Sequence, residues 1–347
     1  MARITLDTLQ QRVYRYFQKR ADKYSLQPSS LEVRYIFNWG GFVNATFAVT
    51  DGQRSYHLKL ADDEESQESL AKWRWLHAYL TAHYRAPVML DWVSIPRTDF
   101  EGPMFEFING QGAALDRQPE VLAGVLDLIG RLHRDHGLAE TLASYVGDEE
   151  PSEAAAPDMA GDGLLTCAQA FLDDFVDRYV GDLLGIAGNL PPFVPLKRLD
   201  WMMGEAREME ALARETPAFQ QPARWPIHGD LNANNILVTP DGSWHVIDWD
   251  DLTLGDPAMD YANLLGPLAD HYGGPEGLER LLPENSEDET LRERFRICLR
   301  AHYLDMVIDS LADWVEADFA PQIQEKVRAD KERAHNAGLE RYLKYYS

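Results

Sequence analysis

Three oxygen-bearing side chains in one short stretch have the types and spacing that magnesium-dependent phosphoryl transfer requires. Asp230 follows a His-Gly pair, Asn235 comes five residues later, and Asp248 ends the apolar run at residues 245–247. A carboxylate can accept the proton of an attacking hydroxyl group, while an amide oxygen and a second carboxylate can hold Mg²⁺ against the phosphates of ATP. The pattern therefore predicts Asp230 as the catalytic base and Asn235 and Asp248 as magnesium ligands.

Neighbouring residues offer alternatives to these assignments. Gly-Asp is also an ordinary turn sequence, and Asn232 and Asn234 could serve only as caps or turns. Asp250 and Asp251 compete with Asp248 for the metal, although their flanks are less apolar. The three residue types together, at these offsets, favour the functional interpretation over an isolated turn.

Lys59 is a basic residue inside an apolar, strand-like run at residues 55–60. Alternation along an edge strand would let it face water, whereas a buried lysine needs a charged partner. The acidic segment that follows offers Glu64, Glu65 and Glu68. We expect Glu68, which lies furthest inside the predicted helix, to pair with Lys59 and hold its ammonium group against the α- and β-phosphates of ATP.

A glycine pair, Gly40-Gly41, separates two strand-like runs and could let backbone amides approach phosphates. A plain hairpin turn would use the same residues. The chain contains no Gly-x-x-x-x-Gly-Lys-Ser/Thr, which excludes a P-loop, and no Gly-x-Gly-x-x-Gly, which excludes a Rossmann fingerprint and a typical protein-kinase glycine loop. Gly40 and Gly41 are thus candidates for a phosphate-contacting turn, with a plain hairpin turn as the alternative.

The formal net charge of -24 is unevenly distributed. Residues 1–110 contain 13 Lys and Arg against 13 Asp and Glu, whereas residues 111–347 contain 20 against 44. This excess of acid disfavours nucleic-acid binding, because phosphate backbones need basic patches. The neutral part suits a polyanion such as ATP, and the acidic part could attract a cationic second substrate; acidity that serves only solubility is the alternative.

Three aspartates, Asp305, Asp309 and Asp313, recur at every fourth position and so share one face of a predicted helix. Like charges at this spacing destabilise a helix slightly. This destabilisation favours a functional role for the three aspartates, such as binding an ammonium group of the acceptor. A solvated helix face is the competing interpretation.

The bulk composition is typical of a globular protein, with 45% hydrophobic and 11% aromatic residues in 347. That length is enough for two lobes with separate cores. No signal peptide and no apolar run long enough to cross a membrane is seen. Cys167 and Cys298 are the only cysteines, so a disulfide framework is not expected. We expect a cytoplasmic location.

The predicted elements change character along the chain. A leading helix at 5–24 and strands near 31–37, 44–50, 55–60, 88–94 and 103–108 describe a mostly antiparallel sheet, with one inserted helix at 62–84. Beyond residue 109, helices are predicted near 118–137, 164–187, 197–215, 289–316 and 321–345. A strand, loop and hairpin are predicted at 225–251, with Asp241-Gly242 at the hairpin turn.

These motifs resemble the aminoglycoside phosphotransferase and choline kinase family. The resemblance rests on His228-Gly229-Asp230, Asn235-Ile236-Leu237, Ile247-Asp248 and Gly255-Asp256-Pro257 with Asp260. It is strong over 225–262, moderate over 31–110 and weak elsewhere. One departure from protein kinases is that Trp249-Asp250 follows Asp248, where those enzymes carry Phe-Gly.

The resemblance implies a role for further residues. Glu106, Phe107 and Ile108, with Phe105, would form the hinge whose backbone meets adenine. His228 and Asp260 would have structural roles in the catalytic loop. The family spacing would also place the glutamate that pairs with Lys59 near Ser69, one position beyond Glu68.

The resulting prediction is an α+β, bilobal protein-kinase-like fold with a small antiparallel-sheet N-lobe and a larger, mainly helical C-lobe. Residues 1–108 would form the nucleotide-binding lobe and residues 109–347 the catalytic and substrate-binding lobe. The chain would use ATP and Mg²⁺ to phosphorylate a hydroxyl group of a small, cationic molecule such as an aminoglycoside, an amino sugar or choline. A protein Ser/Thr kinase, a nucleotide-binding regulatory module without turnover and a magnesium-dependent hydrolase are the alternatives.

Overall fold

The computed structural model of the protein describes residues 4–36, 44–144, 164–284, 289–317 and 324–346. These residues form two compact units. The first contains residues 4–36, 44–113, 144 and 233–251; the second contains residues 114–143, 164–232 and the described residues from 252 onward. The segment with Asn235 and Asp248 thus lies in the unit of the N-terminal sheet, whereas a division at residue 108 would place it in the other lobe. That division stays a prediction.

Strands and helices follow the predicted order, strand-rich first and helix-rich later. The strands are β1 (Glu32–Tyr35), β2 (Ala45–Thr50), β3 (Ser55–Leu60), β4 (Met89–Ser94), β5 (Glu101–Glu106), β6 (Gln111–Gly112), β7 (Trp225–Ile227), β8 (Ile236–Val238), β9 (Trp244–Val246) and β10 (Thr253–Gly255). The helices are α1 (Leu6–Lys19), α2 (Glu64–Ala71), α3 (Trp73–Tyr84), α4 (Pro119–Leu132), α5 (His136–Ala143), α6 (Cys167–Phe171), α7 (Asp177–Gly188), α8 (Leu196–Glu215), α9 (Pro257–Leu265), α10 (Ala269–Tyr272), α11 (Pro275–Glu279), α12 (Leu291–Glu316) and α13 (Gln324–Tyr346).

The first unit is built on an antiparallel sheet of five strands in the order β1-β2-β3-β5-β4. Alternation along β3 buries Tyr56, Leu58 and Leu60, so Lys59 lies on the opposite face. Since β3 has a partner strand on each side, the edge-strand interpretation of Lys59 does not apply. Apolar residues of α1, spaced at helical intervals, pack with the buried face of the sheet in one core.

A single helix predicted over 62–84 is instead two consecutive helices, α2 and α3. Asp63 caps α2 by accepting a hydrogen bond from Ser66 N. Lys72 separates the two helices, and its αR backbone lets α3 follow without a loop. Helix α2 buries Ser66, Leu70 and Ala71, so the side chain of Glu68 is directed to the exposed side of the helix.

A second, smaller sheet of the first unit carries the predicted metal ligands. Its strand order is β6-β8-β9, and Ile236 lies opposite Val246 in the antiparallel β8–β9 pair. The hairpin turns at Asp241 and Gly242, as predicted, with Gly242 at φ +85°. Asn235 and Ile247 therefore stand at the same end of this hairpin, remote from its turn.

In the second unit, β7 pairs with β10 and helices surround α12. Arg294 of α12 and Asp256 are fully buried and form a bidentate ion pair, with Nε and Nη2 of Arg294 at 2.7 and 3.0 Å from the two carboxylate oxygens. Asp256 also caps α9 by accepting from Ala258 N. The Gly-Asp-Pro run therefore fixes where α9 begins. Among the described helices, none is both long and apolar enough to cross a bilayer.

Candidate active site

The turn that carries Asp230 follows β7 and is anchored by Asp260 of α9. Asp260 is fully buried and accepts hydrogen bonds from His228 N at 2.9 Å and Gly229 N at 3.1 Å. Its Oδ2 also lies 2.9 Å from Nε2 of His133, the residue that directly follows α4. Gly229 has φ +88°, a conformation that favours glycine. An exposed carboxylate, Asp230, thus stands on a turn whose backbone is held by buried hydrogen bonds.

The same contacts set the charge of Asp260. Burial raises the pKa of this carboxyl group, but the hydrogen bond with His133 and the charges of His133 and His228 lower it more, so its pKa lies below the usual 3.8. The group is therefore a carboxylate that accepts hydrogen bonds throughout the neutral range.

We expect Asp260→Asn to lower the free energy of unfolding by about 2–4 kcal/mol, because an amide cannot accept from all three donors. A group with a lowered folded-state pKa stabilises the protein above its unfolded pKa, and this contribution is lost as pH falls through the folded pKa. The difference between wild type and variant should thus be full above about pH 4 and shrink below it. Urea unfolding across this range measures it, with the exposed Asp127→Asn as control. A difference in unfolding free energy that stays constant as the pH falls would contradict this role of the Asp260 carboxylate.

Asn235 and Asp248 lie close together because β8 and β9 pair in register. Ile247 N donates to Asn235 O at 2.8 Å, so the residue after Ile247 stands beside the buried Asn235. Asp248 has φ +67°, a left-handed conformation that is uncommon outside glycine and costs free energy. Such strain at a polar residue is typical of functional sites.

The donor set fits magnesium. Both side chains supply hard oxygen ligands, and Mg²⁺ is usually held by one or two carboxylates together with phosphates and water. Among the described residues, no group of three or more His, Cys, Asp and Glu side chains forms a protein-only metal site. The ammonium group of Lys59 at Asp248 shows that this carboxylate already accepts a cation as partner.

Lys59 contacts both carboxylates of the segment after β9. Its Nζ forms an ion pair with Asp248 Oδ1 and lies 2.6 Å from Asp250 Oδ2. The side chain of Lys59 is 13% exposed, that of Asp248 30% and that of Asp250 9%. Burial lowers the pKa of Lys59, but the charges and hydrogen bonds of the two aspartates raise it more, so its pKa lies above the ordinary value. Lys59 is therefore cationic at every pH at which the protein would be assayed.

The structure pairs Lys59 with Asp248 and Asp250, whereas the sequence favoured Glu68 as its partner. Glu68 lies on the exposed side of α2, and its charge acts on Lys72. Ser69, the next residue, faces the site instead, and its Oγ donates to the backbone carbonyl of Asp250 at 2.8 Å. The helical period explains the difference, since the face that α2 buries excludes position 68.

Sequence reasoning did not identify Asp250 and Trp73 as members of the Lys59 site. Trp73 Nε1 donates to Asp250 Oδ1 at 2.9 Å, and the Trp73 ring packs edge-on against Phe105 with centroids 4.6 Å apart. The sequence does place Asp250 two residues after Asp248, near the same strand end. Nothing in the sequence alone pairs it with Lys59.

The other predicted nucleotide contacts are the glycine pair and the residues at the end of β5. Gly40 and Gly41 lie outside the described residues. Glu106 ends β5, and Glu106 N donates to Val88 O at 2.9 Å. Phe107 N donates to Ser55 O at 3.3 Å. Adenine recognition by the backbone of Glu106, Phe107 and Ile108 stays a prediction.

The acidic stripe of α12, formed by Asp305, Asp309 and Asp313, is only partly accessible. Asp313 forms an ion pair with Lys331 of α13, and Asp305 and Asp309 are half-buried. The carboxylate of Asp313 therefore already has a cationic partner from the same unit. Binding of an acceptor by Asp305, Asp309 and Asp313 stays a prediction.

Comparison with known proteins finds a family model that matches most of the chain. Residues 35–298 match the model of the phosphotransferase enzyme family, APH. The matched range is more than half of the 347 residues and contains Lys59, Asp230, Asn235 and Asp248.

Solved structures share the fold along nearly the whole chain. The GDP complex of wild-type aminoglycoside 2'-phosphotransferase-IIIa is 12% identical, with a TM-score of 0.57 and coverage of 95% of this chain and 98% of that one. Spectinomycin phosphotransferase with ADP and spectinomycin is 13% identical, with a TM-score of 0.58 over 95% and 97% of the chains. A thermostable aminoglycoside phosphotransferase mutant with ADP and hygromycin B is 18% identical, with a TM-score of 0.55 over 93% and 97%. The predicted α+β, kinase-like fold is thereby confirmed.

Proposed function

The chain belongs to the phosphotransferase enzyme family, as its motifs predicted, and from this premise we propose that it transfers the γ-phosphoryl group of ATP to a hydroxyl group of a small, cationic molecule. The observation that carries the proposal is the cluster of Lys59, Asn235 and Asp248 in the first unit. A buried ammonium group lies against a carboxylate that stands beside a buried amide, and these are groups that bind phosphate oxygens and Mg²⁺.

Each residue has one task in the proposed reaction. Asp230 accepts a hydrogen bond from the acceptor hydroxyl and takes its proton as the oxygen attacks the γ-phosphorus atom; the bond from this atom to the β–γ bridging oxygen breaks, and ADP leaves. Lys59 places its ammonium group on the phosphate oxygens and balances their charge. Asn235 and Asp248 would hold Mg²⁺, which neutralises the negative charge of the phosphates when bound.

The anchoring of Asp230 supports its role as base. A general base must reach the hydroxyl proton, and Asp230 is exposed. Its Oδ1 accepts a hydrogen bond from Asn232 Nδ2 at 3.0 Å, and Asp260 fixes the preceding backbone. The carboxylate is thus accessible and oriented, as proton transfer from a bound alcohol requires.

Charge supports a cationic acceptor. Residues 111–347 contain 44 acidic against 20 basic side chains, whereas residues 1–110 are balanced at 13 and 13. A negative field raises the local concentration of a cationic substrate and its rate of association. Structural neighbours were solved with kanamycin, hygromycin B and spectinomycin, so the same fold accommodates aminoglycoside-type ligands in those proteins.

An acceptor screen tests this assignment. We expect glucosamine to be phosphorylated with a kcat/KM about tenfold or more above that of glucose, and choline above its neutral isostere 3,3-dimethylbutanol, since each pair differs by one cationic group. Aminoglycosides, which are cationic, should likewise be phosphorylated with a higher kcat/KM than neutral alcohols. ADP release from Mg²⁺-ATP, with the phosphorylated product identified by mass spectrometry, is the measurement. The preference should weaken as ionic strength rises.

Two results would contradict the acceptor assignment. A neutral member of each pair that is turned over faster than its cationic partner would remove the argument from charge. Labelling of protein serine or threonine in place of every small alcohol would favour the protein-kinase alternative.

A further inference from the structure

Asp250 is held by side chains from three elements of the first unit. Its Oδ2 lies 2.6 Å from Nζ of Lys59 on β3, and its Oδ1 accepts a hydrogen bond of 2.9 Å from Nε1 of Trp73 on α3. Ser69 of α2 donates to its backbone carbonyl at 2.8 Å. Both carboxylate oxygens thus have a strong donor, and the side chain is almost completely buried.

The two carboxylates beside Lys59 differ in their access to solvent. The Asp248 side chain is about three times as exposed as that of Asp250, at 30% against 9%. Asp248 can therefore exchange its partner for a dissolved cation, while Asp250 stays enclosed between an ammonium group and an indole N–H. When Asp248 changes partner, Lys59 keeps one full counter-charge, which a buried lysine requires.

Helices α2 and α3, which pack around Lys59 and Asp250, supply neutral hydrogen-bond donors, whereas the sequence favoured the acidic Glu68 of α2. Ser69 and Trp73 lie four positions apart and both contact Asp250. Trp73 is itself fixed, because its ring is buried and packs on Phe105. Glu68 lies on the exposed side of α2, and its charge acts on Lys72.

We propose that Asp250, oriented by Trp73, is the positioning residue that keeps Lys59 directed at the nucleotide phosphates, in place of a glutamate from the helix. The inference rests on the proposed function of Lys59 as a phosphate-binding residue. Asp250 acts only through Lys59, so its effect must vanish when Lys59 is absent.

Asp250→Asn tests this directly, because the amide preserves the volume and the acceptor for Trp73 while removing the charge that faces Lys59. We expect the KM for ATP to rise about tenfold and kcat to fall about tenfold. Trp73→Phe removes the indole N–H together with part of the buried ring, and it should raise the KM for ATP by about threefold. Asp251→Asn, which neutralises the adjacent exposed carboxylate, and Glu68→Gln should both stay within about twofold of wild type.

The double-mutant cycle with Lys59→Met separates positioning from a merely structural role. In the Lys59→Met background, Asp250→Asn should lower kcat/KM for ATP by less than about a further twofold, because the two residues act as one unit. A full additional loss in that background would show that Asp250 acts independently of Lys59, and it would overturn the inference. So would an Asp250→Asn variant with a normal KM for ATP, or a Glu68→Gln variant with the defect expected for Asp250→Asn.

Failure of the proposed function is distinguishable from failure of the inference. If wild type binds ATP but phosphorylates no acceptor, the proposed function fails. The same variants are then compared by calorimetric ATP affinity, where Asp250→Asn and Lys59→Met should each weaken binding and the double variant no further. If Asp250→Asn does not fold, as judged by circular dichroism, Trp73→Phe decides by the same cycle. A wild-type chain that binds no ATP would overturn both proposals.

Discussion

Asp230→Asn is expected to lower kcat by about 10²–10⁴-fold while the affinity for ATP stays within about twofold of wild type. The carboxylate and the amide have nearly the same shape, and the amide oxygen still accepts from Asn232. The amide cannot take the proton of the acceptor, so the transition state loses its base while the groups proposed to bind phosphate, Lys59 and Asp248, are untouched.

The measurement combines steady-state kinetics with calorimetric ATP binding on the same preparation. Asn232→Ala is the informative companion, because it removes the hydrogen bond to Asp230 Oδ1 and leaves the carboxylate in place. A loss of about three- to tenfold is expected from that lost orientation. Near-normal turnover by Asp230→Asn would show that another group takes the proton, and the assignment of Asp230 would be wrong.

The local patterns of this chain were sufficient to predict the elements around the site. Alternating residues in β3 and the Asp-Gly turn between β8 and β9 are signals that depend only on neighbouring residues. Asn235 and Asp248 were expected together because both flank strands, and register in the hairpin brings Asn235 beside Ile247. The periodicities predicted a strand-rich part followed by a helix-rich one, and the kinase-like fold was implied by the resemblance of the motifs to a known family.

The partner of Lys59 could not be predicted in the same way. The choice between Glu68 and Asp250 depends on which face of α2 is buried, and Leu70 and Ala71 decide this through contacts outside the helix. Asp250 lies 191 residues from Lys59 in the chain. Pairings of that range leave no periodic trace in a sequence, whereas an acid a few residues downstream is conspicuous.

The boundary at residue 108 stays a prediction, and the strand pairing on either side of it depends on residues far apart in the chain. β6, at residues 111–112, pairs with β8, and β8 with β9, so residues 233–251 associate with the N-terminal sheet. A boundary placed where the composition changes, near residue 108, separates these strands. Compositional shifts mark linkers, but strand pairing between distant segments is set by tertiary packing.

The acidic stripe shows which charges a single-helix pattern leaves out. Equal spacing placed Asp305, Asp309 and Asp313 on one helical face, and the structure adds Lys331 of α13 as the partner of Asp313. A buried or half-buried carboxylate is usually matched by a cation from a packed neighbour. Whether the remaining two aspartates contact an acceptor depends on charges that helices α9 and α13 bring to α12, which no single-helix pattern contains.

Asp248→Asn is expected to remove the magnesium-dependent part of ATP binding. Asparagine is chosen because residue 248 has φ +67°, which asparagine tolerates and alanine does not, so that the variant tests chemistry rather than backbone strain. Loss of the anionic ligand should weaken Mg²⁺-ATP binding by about a hundredfold, with turnover reduced in parallel. Lys59 retains Asp250 as counter-ion, so folding should be preserved and can be checked by thermal unfolding.

Calorimetric ATP affinity with Mg²⁺ and with EDTA gives the decisive comparison. Wild type should bind ATP much more tightly with the metal, whereas Asp248→Asn should show almost the same weak affinity in both conditions. Asn235→Ala should lie between them, because a neutral ligand contributes less than an anionic one. Asp250→Asn separates the two aspartates: if Asp250 serves Lys59 alone, that variant binds ATP weakly but keeps its gain from magnesium. Were the gain to survive in Asp248→Asn and disappear in Asp250→Asn, the roles of the two carboxylates would have to be exchanged.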